Sequence, residues 1–242
     1  MDALRQLSSL FELDPSCAAA LSSYLDLLLG WRGGNVTGVR DREDAALSLI
    51  GDALALLDIT EARAVLQSGE TPAVDLGAGA GVPGLPLAMA APAARLVALE
   101  SIGKKCTFLR AAVAHLGLGR RVTVVCARSE EQAALGAPGR GAYGLALARA
   151  VGPLPTVAEL AAPLLADGAA LLVCTTAERA GQEWAAGEVA ARRCGLALER
   201  IEPLTRSPLT HSVCVVARKV LPTPDWLPRR PGRARTHPFG AG

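Results

Sequence analysis

The sequence predicts an α/β fold, in which helices cover both faces of a mostly parallel, seven-stranded sheet and a helical extension precedes it. Three observations support this prediction. Apolar residues recur at helical spacing over the first quarter of the chain, strand-like apolar runs then alternate with helical stretches, and a glycine-rich turn follows the first such run. The chain has 242 residues, enough for one large core with a small appendage.

The first element is the helical N-terminal extension. Residues 3–66 show the periodicity of amphipathic helices. The leucines that mark this periodicity are Leu21, Leu25, Leu28, Leu47 and Leu54. A stretch of small and polar residues at 67–72 has the composition of a linker. We therefore place the extension at residues 1–68.

From residue 73 onward, strands alternate with helices. The strands are predicted at 73–77, 95–100, 121–127, 144–149, 169–175, 197–202 and 212–219. The helices between them are predicted at 104–116, 156–165 and 180–193. Strands separated by helices form parallel sheets. Only the last two strands follow one another without a helix, which predicts an antiparallel hairpin at the sheet edge. We place this unit at residues 69–220.

A glycine-rich loop after the first strand is the strongest functional signal. Residues 75–84 read Asp-Leu-Gly-Ala-Gly-Ala-Gly-Val-Pro-Gly. Gly77, Gly79 and Gly81 let the backbone approach a ligand where side chains would collide. In open α/β sheets, ligands bind at the carboxyl ends of the strands. This Rossmann-like arrangement of strand, loop and helix predicts a cofactor at that edge.

Two acidic residues favour S-adenosylmethionine as that cofactor. The loop also contains G-x-G-x-x-G, the dinucleotide fingerprint, which is a weak match when it stands alone. Asp75 lies at the end of the first strand, where its carboxylate can face a bound amino group. Glu100 ends the second strand, where its oxygens can accept both ribose hydroxyls of an adenosine. The alternative is a glycine-rich turn with incidental acids.

Several motifs along nearly the whole chain are more specific than this loop. They are Trp31-x-x-x-Asn35-x-Thr37, the loop continued as Pro83-Gly84-x-Pro86-Leu87, then Gly103-Lys104-Lys105, Arg128-x-Glu130, Arg149-Ala150 and Pro228-Arg229-Arg230-x-Gly232. With these motifs the chain resembles the RsmG (GidB) family, which methylates the N7 of a guanine in 16S ribosomal RNA.

That resemblance implies a class I S-adenosylmethionine-dependent methyltransferase whose partner is 16S rRNA or the small ribosomal subunit. It carries cofactor contacts over to Gly77, Val82, Ser129, Glu130 and Arg149. We expect Arg149 to be the catalytic residue as well, because it ends the fourth strand at the ligand-binding edge. The alternative role for Arg149 is that of a structural ion-pair partner.

Several positions depart from the pattern of this family. Glu100 stands where the family usually has aspartate, which keeps the carboxylate and lengthens its reach. Leu49, Gly144 and Thr175 replace residues that are usually His, Asp and Lys. Two other functions therefore stay open: methylation of a different RNA or a small molecule, and a catalytically silent protein that binds RNA or assists ribosome assembly.

The charge distribution hints at a polyanionic partner. Residues 203–242 contain seven basic residues and a single acidic one, Asp225. We interpret 221–242, which are rich in proline and arginine, as a basic C-terminal tail and not as a packed element.

Three further features limit the class of protein. The longest uncharged run is broken by glycines and prolines, so no membrane span is predicted. The three histidines lack the spacing of metal ligands, so no metal is expected. The six cysteines form no C-x-x-C pair and lie mostly in apolar stretches. They indicate buried thiols in a reducing compartment. We expect a cytoplasmic protein, acting as a monomer.

Overall fold

A single seven-stranded sheet lies at the centre of the computed structural model, which describes residues 2–240. Its strands are β1 (Ala73–Leu76), β2 (Leu96–Glu100), β3 (Val122–Cys126), β4 (Tyr143–Arg149), β5 (Leu165–Thr176), β6 (Leu196–Pro203) and β7 (Ser212–Lys219). In space they follow the order β3-β2-β1-β4-β5-β7-β6. Strands β1 to β5 pair in parallel, whereas β7 is antiparallel to both neighbours. The predicted sheet and its antiparallel final pair are confirmed.

Helices precede and separate these strands. The α-helices are α1 (Ala3–Leu10), α2 (Pro15–Gly30), α3 (Arg42–Ala45), α4 (Asp52–Leu54), α5 (Thr60–Ser68), α6 (Gly84–Ala90), α7 (Gly103–His115), α8 (Ser129–Gln132), α9 (Leu154–Ala161), α10 (Ala177–Arg193) and α11 (Arg233–Thr236). A π-helical turn at Ala46–Gly51 joins α3 to α4, and 3-10 turns at Ala55–Asp58 and Ala162–Leu164 follow α4 and α9. The helix predicted at 156–165 ends earlier, because Leu165 already belongs to β5.

The core explains why the central strands read as continuous apolar runs. All four residues of β1 are buried, because helices cover both faces of the sheet. On one face, the extension contributes fully buried side chains such as Leu25 and Leu54 to a cluster that includes Leu87 of α6. On the other face, α9 packs on β5, and α10 packs on β5, β6 and β7. The extension therefore shares a core with the sheet.

The C-terminal segment packs against the body of the protein, so our prediction of an unpacked tail was wrong for its described part. Leu227 and Ala234 are buried. Arg229 forms an ion pair with the buried carboxylate of Glu159 in α9, and Arg140 donates a 2.8 Å hydrogen bond to the carbonyl oxygen of Leu227. The composition did not reveal this packing, because it depends on two buried apolar residues and on one arginine, Arg229, that pairs with a buried carboxylate.

The cysteines also differ from our expectation. Cys106 in α7 and Cys126 at the end of β3 form a disulfide, with their Cα atoms 5.8 Å apart, and Cys126 is exposed. Twenty residues separate them, so the sequence spacing gave no indication that α7 returns beside β3. The remaining cysteines are buried free thiols, as predicted: Cys17, Cys174, Cys194 and Cys214.

Within residues 2–240, no helix has both the length and the apolar character needed to cross a lipid bilayer.

Candidate functional site

The site lies at the carboxyl ends of β1 and β4, the neighbouring strands from which the strand order runs in opposite directions. The glycine loop begins there. Gly77, Gly79 and Gly81 have φ values of 68°, 57° and 89°, in the left-handed region that favours glycine. The N–H of Gly77 donates a 2.8 Å hydrogen bond to Leu99 O, which fixes the start of the loop to the end of β2.

Asp75 lies beneath this loop with one oxygen occupied and one free. Its Oδ2 accepts a 2.9 Å hydrogen bond from the N–H of Gly84, while its buried Oδ1 has no partner. Burial raises the pKa of Asp75 to about 7 against the lowering effect of the Gly84 hydrogen bond. The negative charge of Glu100 raises this pKa further, and the positive charge of Arg149 lowers it. The free Oδ1 suits a bound ammonium group, and the contact of Asp75 with the cofactor stays a prediction.

Glu100 holds the backbone around the loop. Its Oε1 accepts hydrogen bonds from the N–H groups of Ser101 and Ile102, both at 2.8 Å, and its Oε2 accepts one from Gly79 at 2.9 Å. A carboxylate has roughly four acceptor positions, so about one remains for a ribose hydroxyl. We expected this carboxylate to accept both ribose hydroxyls. The contact of Glu100 with the cofactor stays a prediction. The structure shows in addition that this carboxylate holds the glycine loop in place through the N–H of Gly79.

Arg149 ends β4 and faces the helical extension. Its Nη2 donates a 2.6 Å hydrogen bond to Ser48 O and lies 3.4 Å from Asp52 Oδ2, whereas its buried Nη1 has no partner. Ala150 follows with φ 55°, a left-handed conformation that is strained for alanine. Arg149 is therefore an ion-pair partner, and it keeps one donor group for a ligand.

Ser129 and Glu130 begin α8 beside a second part of the site. The Ser129 hydroxyl donates a 2.8 Å hydrogen bond to Leu160 O, and Glu130 Oε1 accepts one of 2.9 Å from the N–H of Gly232. Both residues line a cavity that continues to Gly77 at the end of β1 and Ser101 after β2. The structure thus brings together Gly77, Ser129 and Glu130, which the resemblance implied as cofactor contacts.

Comparison with known proteins decides the family. The model of the family described as rRNA small subunit methyltransferase G matches residues 18–209. The chain belongs to this family. The rRNA small subunit methyltransferase G of Rubrobacter xylanophilus is 37% identical over 226 residues, which cover 92% of this chain and 84% of that one. Its counterpart from Deinococcus radiodurans is 39% identical over 202 residues, 82% of this chain and 76% of that one.

Solved structures share the fold at low sequence identity. The [4+2]-cyclase SpnF is 17% identical with a TM-score of 0.54, over 87% of this chain and 98% of that one. The fibrillarin pre-rRNA processing protein of Methanococcus jannaschii is 14% identical with a TM-score of 0.50, over 65% of this chain and 70% of that one. The fold is that of class I S-adenosylmethionine-dependent methyltransferases, as predicted. Because a cyclase shares it, the fold alone does not fix the reaction.

The cofactor of this methyltransferase family is S-adenosylmethionine, and the residues present fit it. The unpartnered Asp75 Oδ1 and Arg149 Nη1 are buried on either side of the junction between β1 and β4. An added Cβ at Gly77 would lie 3.1 Å from Cγ2 of Val151, which lines the cavity beside the loop, whereas one at Gly81 would lie 2.4 Å from Leu85 Cδ1 in the core. No group of His, Cys, Asp and Glu side chains in the described part of the chain has the arrangement of a metal site.

Val82 in the loop and Tyr24 in α2 show how the loop is supported. Val82, implied by the resemblance as a cofactor contact, is buried among core residues under the loop. Sequence reasoning missed Tyr24, whose hydroxyl in α2 donates a 2.7 Å hydrogen bond to Ala80 O. The only signal was a polar group within an apolar helical stripe.

A separate cleft lies beside Arg149 at the carboxyl ends of β4 and β5. Asp52, Thr175, Arg179 and Ser212 line it together with Arg149. Its polar side chains lie within a mostly apolar lining, and this combination suits a base with hydrogen-bonding edges.

Proposed function

We propose that this protein transfers a methyl group from S-adenosylmethionine to the N7 atom of a guanine in 16S rRNA. The observation that carries the proposal is the pair of buried polar atoms without partners, Asp75 Oδ1 and Arg149 Nη1, next to the glycine loop. Its relatives are named rRNA small subunit methyltransferase G, which supports ribosomal RNA as the substrate class. The resemblance of the motifs supports guanine N7 as the target.

S-adenosylmethionine, when bound, supplies a methyl group that its sulfonium already activates. The protein must then bind the cofactor and the target guanine and orient the two for transfer. Asp75 accepts a hydrogen bond from the amino group of the cofactor, and Glu100 supports the ribose side. Arg149 holds the cofactor or the target base with its free N–H group, which makes it the proposed catalytic residue. Guanine N7 carries a lone pair and no proton, so no general base is needed.

The proposed partner is 16S rRNA or the small ribosomal subunit, met by a monomer in the cytoplasm. Lys104 and Lys105 lie in the first turn of α7, near the ligand-binding edge, and Arg110 lies further along the same helix; these cations suit phosphate contacts. We keep three regions as the proposed organisation: the extension at 1–68, the methyltransferase unit at 69–220 and the basic segment at 221–242.

The test is a map of N7-methylguanine in 16S rRNA from cells with and without the gene. One methylated guanine should disappear with the gene and return when the purified protein and labelled S-adenosylmethionine are added to rRNA or small subunits from the deletion cells. Labelling of another RNA or of a small molecule would show that the protein methylates a different substrate. Binding of RNA without transfer to any acceptor would favour the catalytically silent alternative.

A further inference from the structure

We propose that the C-terminal segment (residues 222–240) is a wall of the cofactor pocket and that Arg235 is a cofactor-binding residue. The inference rests on the use of S-adenosylmethionine proposed above and goes beyond it. It assigns to this segment a role toward the nucleoside half of the cofactor, where the sequence had suggested only a basic tail that meets RNA.

The segment is anchored to α9 by contacts that do not involve the cofactor. Glu159, only 2% exposed, accepts a 2.6 Å hydrogen bond from Arg229 Nε. Thr156 Oγ1 donates a 3.0 Å hydrogen bond to Ala234 O. The guanidinium of Arg229 also lies 3.9 Å from the ring centroid of Phe239. In the docked segment, loss of the Arg229 side chain would leave the carboxylate of Glu159 buried without its charge partner, which is strongly unfavourable.

From this anchor the segment reaches the cofactor pocket. Gly232 donates its N–H to Glu130 Oε1 at 2.9 Å, and Arg235 Nη2 donates a 3.4 Å hydrogen bond to Val151 O. Gly232 and Arg235 line the same cavity as Gly77. Glu130, implied by the resemblance as a cofactor contact, therefore also holds this wall in place.

The position of the cavity indicates which part of the cofactor the segment meets. Leu76, Leu99 and Ser101 line it, and they lie at the carboxyl ends of β1 and β2, beside Glu100 on the ribose side. A planar guanidinium such as that of Arg235 can stack on a purine and donate hydrogen bonds at the same time. Arg235 can thus contact the adenosine of the cofactor both by stacking and by donating hydrogen bonds.

The other arginines of the segment have a different environment. Arg230, Arg233 and Arg235 are all exposed, but of these three only Arg235 lines the cavity beside the glycine loop. Arg230 and Arg233 remain available to RNA phosphates. This division provides a matched pair, because Arg235→Ala and Arg230→Ala remove the same charge from the same segment.

The first test is titration calorimetry of the full chain with S-adenosylhomocysteine. We expect Arg235→Ala to weaken binding about tenfold, the effect of one lost charge-assisted contact, and Arg230→Ala to leave it within about twofold. Arg235→Lys should recover only part of the affinity, because lysine lacks the planar group. Equal affinities of the two alanine variants would overturn the inference. If the unaltered protein bound no S-adenosylhomocysteine, the proposed function itself would fall, and the inference with it.

A second measurement needs no substitution. Hydrogen exchange of the full chain should slow at residues 232–236 when S-adenosylhomocysteine binds, because a ligand that touches the segment stabilises its docked state. Exchange that slows in the glycine loop but is unchanged at 232–236 would show that the segment packs on the protein without contacting the cofactor. Neither measurement requires RNA or methyl transfer, so both separate this inference from the choice of substrate.

Discussion

The hydroxyl of Tyr24 donates a 2.7 Å hydrogen bond to the carbonyl oxygen of Ala80 and so ties the helical extension to the glycine loop. Tyr24 is fully buried, and burial raises the pKa of its hydroxyl, which stays protonated as a donor. The extension therefore supports the proposed cofactor site, since α2 holds one side of the glycine loop.

Tyr24→Phe removes this one hydrogen bond and keeps the ring. The carbonyl of Ala80 would lose its partner, which costs about 1–3 kcal/mol in a buried setting. We expect a loss of unfolding free energy on this scale and a weaker affinity for S-adenosylhomocysteine, measured by denaturant unfolding and calorimetry. Reduced stability with unchanged affinity would contradict the idea that this bond fixes the loop.

Gly84 is required by close packing and not by its backbone angles. A Cβ at this position would lie 2.7 Å from Asp75 Oδ2 and 2.6 Å from Leu96 Cδ2. Gly84→Ala should therefore push Asp75 aside, with a cost of about 1–3 kcal/mol in stability and a loss of cofactor affinity. Gly103→Ala is the control, since nothing lies within 4 Å of its added Cβ. If the two variants unfold at the same denaturant concentration, the packing argument is wrong.

The raised pKa of Asp75 predicts two opposite pH dependences. Its folded-state pKa of about 7 lies above the value of about 3.9 for an unfolded aspartate, so the folded protein binds more protons between those values. The stability of the cofactor-free protein should then fall as pH rises from about 4 to about 7. A cationic amino group at Asp75 Oδ1 favours the ionised form, so the affinity for S-adenosylmethionine should rise from about pH 6 toward pH 7.5.

Calorimetry and thermal unfolding across this range check both slopes. Asp75→Asn is the control, because an amide of the same shape does not titrate. Its affinity should be lower and nearly independent of pH in the same interval. A slope that persists in Asp75→Asn would have to come from another group.

Parts of the site that depend on one stretch of chain were predictable from the sequence. Asp75 and Glu100 end neighbouring strands, and the glycines between them mark the ligand-binding edge without knowledge of the rest of the fold. The bonds of Glu100 to backbone N–H groups were not predictable, because they depend on how the loop turns. Contacts between distant segments were also missed, such as Tyr24 with Ala80 and Glu130 with Gly232, which lies 102 residues later.

The last prediction concerns Arg149, which pairs with Asp52 and for which we propose a second role toward the cofactor or the target base. Arg149→Ala would remove the donor to the cofactor or base, and it would also leave Asp52, 4% exposed, with the Ser207 hydroxyl as its remaining partner. We therefore expect both a loss of stability and a fall in methyl transfer of at least roughly ten- to hundredfold, the scale of ~1.5–3 kcal/mol for a charge-assisted hydrogen bond.

Arg149→Lys separates these two roles. The ammonium keeps the charge beside Asp52, so the melting temperature should stay within a few degrees of that of the unaltered protein. Lysine has no second planar N–H group to replace Nη1, so methyl transfer should remain low. The comparison is made with labelled S-adenosylmethionine and rRNA from cells that lack the gene. Full transfer by Arg149→Lys would show that Arg149 acts only as an ion-pair partner of the extension.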